Sequence, residues 1–428
     1  MYRFIKDLNC IGKFDVVIAG GGPAGICAAI SAAMEGAKTL IIEKAGIIGG
    51  NLTVGHVGPT MGKYIKNTMA DKINTLINDG QDTRLGHDVE YTKVKLMELV
   101  DQYNISLYLN TSIADVIQEK NLIKGVVVSN QNGLCVVTGK VFIDATGDGI
   151  LSYLAGERIE FGRDDGLVQP VSIMFTITGI DTSQELVCED EEMDTKLKKG
   201  SYLQLCKDAC ATGELPESVN IVRLYKTVNE GERIVNATQA NKINGLDLDD
   251  YTKAQIELRK QMLMVVEFLK KNVEGYENIK IKDSSDIVGI RESRRVVGHY
   301  ILTAEDLIAG KIYTDTVVHR SKFSIDIHNP VGAGQSETDG CPYQTKEYDI
   351  PYRALVPLVN RNLYTAGRCI SGTHRAHASY RVMNICMCTG EAAGAGAALC
   401  IKEKTTPAAL DVKKLQSILI ERGIKLFN

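Results

Sequence analysis

The first fifty residues carry a pattern of apolar and polar positions that predicts a strand, a helix and a second strand. Residues 16–19 form a short apolar run, small apolar residues from 24 to 34 follow, and a further apolar run ends at Glu43. A glycine-rich sextet, residues 20–25, separates the first run from the helical stretch. Two apolar strands joined by such a helix are typical of a parallel βαβ unit.

Shorter apolar runs then predict a series of strands. These runs, separated by turn residues, lie at 105–111, 112–119, 123–130, 134–139 and 140–146. The last four predict an antiparallel meander that ends in Asp144-Ala145-Thr146-Gly147-Asp148-Gly149. A βαβ unit that continues into a meander differs from the NAD-dehydrogenase pattern, in which further βαβ units would follow.

The middle of the chain, residues 156–355, has the pattern of an antiparallel sheet with helices. Apolar runs typical of strands lie at 171–179, 220–228, 232–238 and 316–327. Residues 252–272 have the period of an amphipathic helix. We expect its apolar face to consist of Ile256, Met262, Leu263, Val266 and Leu269.

The C-terminal part returns to the earlier pattern, with a short strand ending in glycine at 362–368 and an Ala- and Gly-rich helix at 382–402. We therefore expect one α/β domain that is built from two separated segments, with a second domain inserted between them. The predicted limits are 1–155 and 356–428 for the first domain and 156–355 for the insertion.

Composition narrows the functional classes. Of the 428 residues, 44% are hydrophobic and the net charge is −4, which disfavours nucleic-acid binding through a basic surface. Neither a signal peptide nor a run of 18 apolar residues is found, so we expect no membrane span and a cytoplasmic location. The eleven cysteines contain no C-x-x-C pair, which predicts free thiols and no metal site.

The glycine sextet indicates dinucleotide binding. Gly20 suits a sharp turn, Gly22 lets the backbone approach a pyrophosphate, and Gly25 lets the helix pack closely on the strand. The helix N-terminus offers free N–H groups to the phosphates. Glu43, at the end of the second strand, can accept hydrogen bonds from ribose hydroxyls, which favours FAD or NAD over NADP.

Several further segments resemble the FAD-dependent oxidoreductases of the glutathione-reductase-like superfold. More narrowly, the chain resembles a family distantly related to fumarate reductase flavoproteins and 3-ketosteroid dehydrogenases. The segments that carry this resemblance are residues 15–29 with Glu43, 49–53, 144–149, 289–300, 348–357 and 363–383. The resemblance implies a Rossmann-like FAD-binding domain, made of a βαβ unit plus a β-meander, with an inserted α+β cap domain built on an antiparallel sheet.

The resemblance also implies which residues hold FAD. The glycine turn would hold the pyrophosphate, the 49–53 loop would line the flavin, and the N-terminus of the last helix would face the flavin C2 carbonyl. The implied cofactor residues are Gly20, Gly22, Pro23, Ala24, Gly25, Glu43, Lys44, Gly49, Gly50, Asn51, Thr53, Ile113, Thr146, Gly147, Asp148, Gly367, Arg368 and Met383.

The densest cluster of ionisable residues directly follows Arg368. His374, Arg375, His377 and Arg381 could bind a carboxylate or enolate oxygen and supply a proton near neutral pH. The alternative is that the arginines pair with acids or with the flavin phosphate. A zinc site is disfavoured because no further ligand cluster is evident.

Two other groups of residues leave alternatives open. His56 lies in a glycine-rich loop, residues 45–64. We expect this histidine to have a structural role, an active-site role or a covalent bond to the flavin. Arg291, Arg294 and Arg295 accompany Glu292. They suit either an ion pair between domains or anion recognition from the cap.

The leading functional hypothesis is an FAD-dependent oxidoreductase that transfers hydride between flavin N5 and a small organic substrate. The alternatives are a flavin monooxygenase and, from another class, a non-catalytic redox sensor or electron-transfer subunit. The expected partners are the substrate and an unidentified electron donor or acceptor, and a homo-oligomer stays open.

Overall fold

Short strands alternate with helices throughout the computed structural model, which describes residues 2, 5–187, 195–197, 200–334 and 343–427. The strands of these residues are β1 (Cys10–Lys13), β2 (Val16–Ala19), β3 (Thr39–Ile42), β4 (Ser106–Tyr108), β5 (Ser112–Glu119), β6 (Leu122–Asn130), β7 (Gly133–Thr138), β8 (Val141–Asp144), β9 (Ile159–Phe161), β10 (Phe175–Thr178), β11 (Lys196–Leu197), β12 (Gly200–Ser201), β13 (Arg223–Lys226), β14 (Glu232–Asn236), β15 (Lys280–Ser284), β16 (Arg294–Val296), β17 (Thr316–Ser321), β18 (Tyr348–Pro351) and β19 (Leu363–Thr365). The helices are α1 (Pro23–Met34), α2 (Met69–Ile77), α3 (Val89–Gln102), α4 (Ile150–Leu154), α5 (Tyr202–Thr212), α6 (Leu248–Asn272), α7 (Ala304–Ala309), α8 (His374–Tyr380), α9 (Met383–Glu403) and α10 (Val412–Glu421).

A five-stranded parallel sheet in the order β19-β8-β2-β3-β4 confirms the predicted βαβ unit. Strands β2, β3, β8 and β19 are buried along their whole length. The prediction that residues 140–146 continue the meander was wrong. All four residues of β8 are buried, so this strand fits the interior of the parallel sheet, which is covered on both faces.

The meander itself comprises β5, β6 and β7, which pair antiparallel as predicted. Strand β1, which the sequence did not predict, adds to its edge by pairing parallel with β7. Apolar residues of the meander and of the parallel sheet share one core, to which Val126, Val137 and Phe142 contribute. The meander is thereby packed against one face of the parallel sheet.

Helices α1 and α9 pack backbone against backbone on the other side of the sheet. A Cβ atom added at Gly390 or Gly394 would lie 2.1 Å from the carbonyl oxygen of Ala24 or Ala28, respectively. Glycine therefore sets this close approach. Among the described residues α9 is also the one helix long and apolar enough to cross a membrane, but 94% of its apolar window is buried inside the protein.

A second sheet, in the order β13-β14-β10-β15, is antiparallel and packs against α6. It has its own core, formed by residues between Val171 and Val288. The predicted apolar face of α6 was partly wrong. Ile256 and Leu263 are exposed, because the buried face follows Leu258, Met262, Val265 and Leu269.

The predicted middle segment, residues 156–355, contributes to two cores. Residues between Leu302 and Val356, including those of β17 and β18, pack into the same core as α1 and α9. Of the predicted run 316–327, only Thr316–Ser321 is a strand. The limits predicted for the two domains stay a prediction.

Gly394→Ala is expected to lower the free energy of unfolding by about 1–3 kcal/mol, because the new methyl group meets the backbone of α1. Gly46→Ala is the matched control, since its methyl group would stand 3.5 Å from Asn110 in ordinary contact. Urea unfolding of the FAD-saturated proteins, followed by circular dichroism, measures both. Equal stability of the two variants would contradict the close approach of α1 and α9.

Candidate active site

The turn between β2 and α1 is built by two glycines. Gly20 has a φ of +96°, in the left-handed region that favours glycine. A Cβ atom at Gly25 would lie 1.9 Å from the carbonyl oxygen of Gly20, so only glycine lets the helix fold back on the turn. Gly22 is the N-cap and Pro23 the first helical residue, so the α1 N-terminus opens toward whatever lies in front of the turn.

A cavity of about 530 Å³ lies in front of this turn. It is bordered by the ends of β2, β3, β8 and β19, which is where open parallel sheets bind their ligands. Fourteen of the predicted cofactor residues line it, namely Gly20, Gly22, Pro23, Ala24, Glu43, Lys44, Gly50, Asn51, Thr146, Gly147, Asp148, Gly367, Arg368 and Met383. Ile113 lines a smaller cavity of about 90 Å³ that shares Gly20, Glu43 and Lys44 with the first.

The three remaining predicted residues, Gly25, Gly49 and Thr53, do not line these cavities. Gly49 donates a backbone hydrogen bond to Gly21, 2.8 Å long, which ties the following loop to the glycine turn. Thr53 is fully buried and donates its hydroxyl to the carbonyl of Ile48 at 2.7 Å. These three residues support the backbone that forms the wall of the first cavity.

Glu43 is fixed by backbone donors at the end of β3. Its Oε2 accepts from the N–H of Gly21 at 2.6 Å and its Oε1 accepts from the N–H of Ala45 at 2.8 Å. Each carboxylate oxygen keeps a second lone pair, so both can still accept a ribose hydroxyl. The glycine turn, the free helix N-terminus and this carboxylate together fit an adenine dinucleotide.

An ion pair forms part of the cavity wall. Arg368 donates to Asp148 Oδ1 at 2.6 Å and to Ser293 Oγ at 3.1 Å. Burial raises the pKa of Asp148, but the positive charges of Arg368 and Lys44 outweigh it and keep that pKa below its usual value. Asp148 is therefore ionised at neutral pH and holds Arg368 in place.

A second cavity, of about 340 Å³, adjoins the first. Asn51, Ile290, Arg368 and Arg381 line both. One part of its wall is apolar and includes Val57, Met61, Met174, Phe323 and Val382. The other part is polar and includes Arg223, Tyr225, Asn236, Arg291, Asp326 and His328.

The ionisable groups of the second cavity influence one another. His328 Nε2 lies 3.3 Å from Asp326 Oδ2, yet burial, reinforced by the charge of Arg291, lowers the pKa of His328 to about 4. Its ring is therefore neutral at neutral pH. Burial and repulsion from Arg381 lower the pKa of Arg291 to about 10, so Arg291 stays charged.

The predicted catalytic cluster is spread over different surroundings. His374 Nδ1 lies 2.8 Å from Glu292 Oε1, and His377 is fully buried. Arg375 faces outward, 3.6 Å from Glu305. None of these three lines either cavity, whereas Arg381 lines both.

His56 points away from the cavities. Its Nδ1 lies 3.2 Å from Asp283 Oδ1 on β15, while its neighbours Gly55 and Val57 line the second cavity. This contact joins the glycine-rich loop to the antiparallel sheet.

The two roles predicted for the 291–295 segment stay predictions, because Arg295 pairs with Glu292 of the same segment and not across the predicted domains. Arg295 donates to Glu292 Oε1 at 2.6 Å in a buried ion pair, whereas Arg291 lines the second cavity. Sequence reasoning missed Arg223, Asp326 and His328. Arg223 lies about a hundred positions from the other two, and Asp326 and His328 are a short pair with no recognisable motif around them.

Comparison with known proteins agrees with this geometry. The chain belongs to the FAD dependent oxidoreductase family, whose model matches residues 15–419. It is therefore an FAD-dependent oxidoreductase, and FAD is its cofactor.

Curated relatives match shorter stretches. Mitochondrial dihydrolipoyl dehydrogenase of Schizosaccharomyces pombe is 33% identical over 113 residues, covering 26% of this chain and 21% of that protein. Soluble pyridine nucleotide transhydrogenase of Chromohalobacter salexigens is 31% identical over 151 residues, covering 32% and 31%. Thiamine thiazole synthase of Methanococcus vannielii is 29% identical over 166 residues, covering 35% and 63%. Each match spans less than two thirds of the relative.

Solved structures match over most of the chain at low identity. A geranylgeranyl bacteriochlorophyll reductase-like protein from Thermoplasma acidophilum has a TM-score of 0.48 and 15% identity, covering 96% of this chain and 84% of that one. The p-nitrophenol 4-monooxygenase PnpA from Pseudomonas putida has a TM-score of 0.49 and 10% identity, covering 96% and 85%.

Glu43→Gln is expected to weaken FAD binding about tenfold to hundredfold, because it removes the charge that strengthens hydrogen bonds from the ribose. Glu119→Gln, on the exposed meander strand β5, is the control and should bind FAD normally. Quenching of FAD fluorescence on titration with apoprotein gives both dissociation constants. Unchanged affinity in Glu43→Gln would contradict a role of this carboxylate in binding FAD.

Proposed function

We propose that the protein uses FAD to move a hydride between flavin N5 and a small organic substrate, oxidising or reducing a C–C, C–O or C–N bond. The observation that supports this most is the junction of the two cavities at Asn51, Ile290, Arg368 and Arg381. A substrate in the second cavity would meet the cofactor there, at the end away from Glu43. A separate electron donor or acceptor would restore the flavin after each turnover.

In this proposal FAD binds in the first cavity. Backbone N–H groups at the α1 N-terminus would bind the pyrophosphate, and Glu43 would bind the adenosine ribose. The N-terminus of α9, where Met383 lines the cavity, would stabilise negative charge on the flavin. Arg368, held by Asp148, would border the flavin end.

The antiparallel sheet would serve as the cap. Its strands β13 and β14 supply Arg223 and Asn236 to the second cavity, and Met174 directly precedes β10. The 49–59 loop and the residues just before α9 also line this cavity. The apolar part of this wall would keep water from the reacting carbon. We propose that the cap is inserted between the two segments of the FAD domain, and its separate core supports this division.

The substrate side offers groups for proton transfer and charge stabilisation. His328 is neutral at neutral pH, so it can both donate and accept, and Asp326 can orient its ring. Arg381 can stabilise a developing oxyanion at the junction. His374 and His377 would act as positioning residues through α8, which leads into Arg381.

Met174→Trp is expected to retain FAD but to slow substrate-dependent flavin bleaching by roughly a hundredfold, because the larger ring displaces the substrate by about 1 Å or more. Leu358→Trp, at an exposed position, is the control. Anaerobic spectra of the oxidised and reduced holoenzyme are recorded while enoates, steroids and hydroxy acids are screened.

The same screen separates the alternatives. Bleaching or reoxidation by an organic compound supports hydride transfer. If no compound changes the flavin anaerobically, while oxygen and reductant together give a hydroxylated product, the protein is a monooxygenase. If neither occurs, a sensor or electron-transfer role replaces the enzymatic proposal.

A further inference from the structure

The second cavity carries more positive than negative charge. Among the described residues that line it, the cations are Arg223, Arg291, Arg368 and Arg381, and the one carboxylate is Asp326. Arg368 is neutralised by Asp148 across the junction. Asp326 is shared between His328 at 3.3 Å and Arg381 at 3.7 Å, both longer than a good charge-assisted hydrogen bond.

Arg291 and Arg381 each donate to a backbone carbonyl oxygen, and Asp326 lies 3.7 Å from Arg381. Arg291 donates from Nη1 to the carbonyl oxygen of Pro170 at 2.8 Å, and no described carboxylate forms an ion pair with it. Arg381 donates from Nη2 to the carbonyl oxygen of Asp326 at 3.2 Å, and its Nε has no hydrogen-bond partner among the described residues. No described residue forms a hydrogen bond or an ion pair with the side chain of Arg223. Arg291 and Arg381 are thus oriented by the backbone, and all three guanidinium groups keep N–H donors for a ligand.

Such an arrangement is costly without a counterion. Burial lowers the pKa of Arg291, and the charges of Arg381 and Arg223 lower it further. Burial and the charge of Arg368 lower the pKa of Arg381, and Asp326 and Glu292 offset this only in part. Buried charges of one sign are strongly destabilising when no partner is present. A protein that needed these residues only for folding would gain stability from apolar side chains of similar size. Their position around a cavity indicates that they serve an anionic ligand.

We infer that the second cavity takes an organic acid, with its carboxylate among Arg223, Arg291 and Arg381 and an apolar carbon skeleton against Met61, Met174 and Phe323. Arginine suits this role because its planar fork of donors matches a carboxylate. The apolar wall distinguishes such an acid from a simple inorganic anion, which would gain nothing from it. This inference rests on the proposed function, for which it names the substrate class.

The test uses matched pairs of an acid and its neutral amide. Benzoate and trans-cinnamate are titrated into the FAD-bound enzyme beside benzamide and trans-cinnamamide, at constant ionic strength and millimolar concentration. Perturbation of the flavin absorption bands reports binding without turnover. We expect each acid to bind about tenfold to hundredfold more tightly than its amide, the range for hydrogen bonds between charged groups.

Variants assign this preference to the cavity. Arg291→Met should reduce the preference for the acids about tenfold or more, whereas Arg291→Lys, which keeps the charge, should retain part of it. Arg223→Met provides a second position if Arg291→Met fails to bind FAD. Arg361→Met is the control, since this exposed arginine lies outside both cavities and should leave the preference unchanged.

The outcomes separate this inference from the proposed function. Equal binding of acids and amides, no binding of either acid, or an acid preference that survives Arg291→Met and Arg223→Met would each overturn the inference. If a neutral compound bleaches the flavin and acids do not bind, hydride transfer stands and the acid class falls. If acids bind selectively but no compound changes the flavin, the anion site stands and the redox proposal falls.

Discussion

The direct contact between the backbones of α1 and α9 is the constraint on which the rest of the structure depends. Both helices begin at the cofactor cavity, where Pro23 and Met383 line its wall, so their approach brings two helix N-termini to one ligand. Only glycine at positions 390 and 394 allows that approach. Strands from both ends of the chain then join one parallel sheet, and the glycine turn lies beside Gly367.

The position of the second cavity follows from this arrangement of α1, α9 and the parallel sheet. The antiparallel sheet has its own core and meets the FAD side through loops, among them the 49–59 loop and the 285–291 segment. Arg381 lies between the end of α8 and the start of α9 and lines both cavities, while Val382 lines the second and Met383 the first. The two cavities thus share the segment that begins α9.

Elements that depend on neighbouring residues could be predicted from the sequence, whereas contacts between distant segments could not. The βαβ unit, the strands β5 to β7, the glycine turn and Glu43 follow from local periodicity and spacing. The other predicted cofactor residues followed only from the resemblance to FAD-dependent oxidoreductases. The position of β8 did not follow from the local pattern, because so short a run, with three apolar residues, suits either sheet. His374 resembled a catalytic residue because ionisable groups are dense around it, but its partner Glu292 lies 82 positions away. The basic wall combines β13 with two separate loops, and no pattern in the sequence connects them.

The pairing of α1 with α9 also determines when the protein can become functional during its synthesis. At the usual rate of translation, roughly tens of seconds separate the appearance of these two helices. Throughout that interval the small apolar face of α1 has no partner, and the glycine turn faces a cavity that lacks its opposite side. Stable capture of FAD therefore requires that α9 has left the ribosome, and until then the exposed apolar face of α1 favours aggregation.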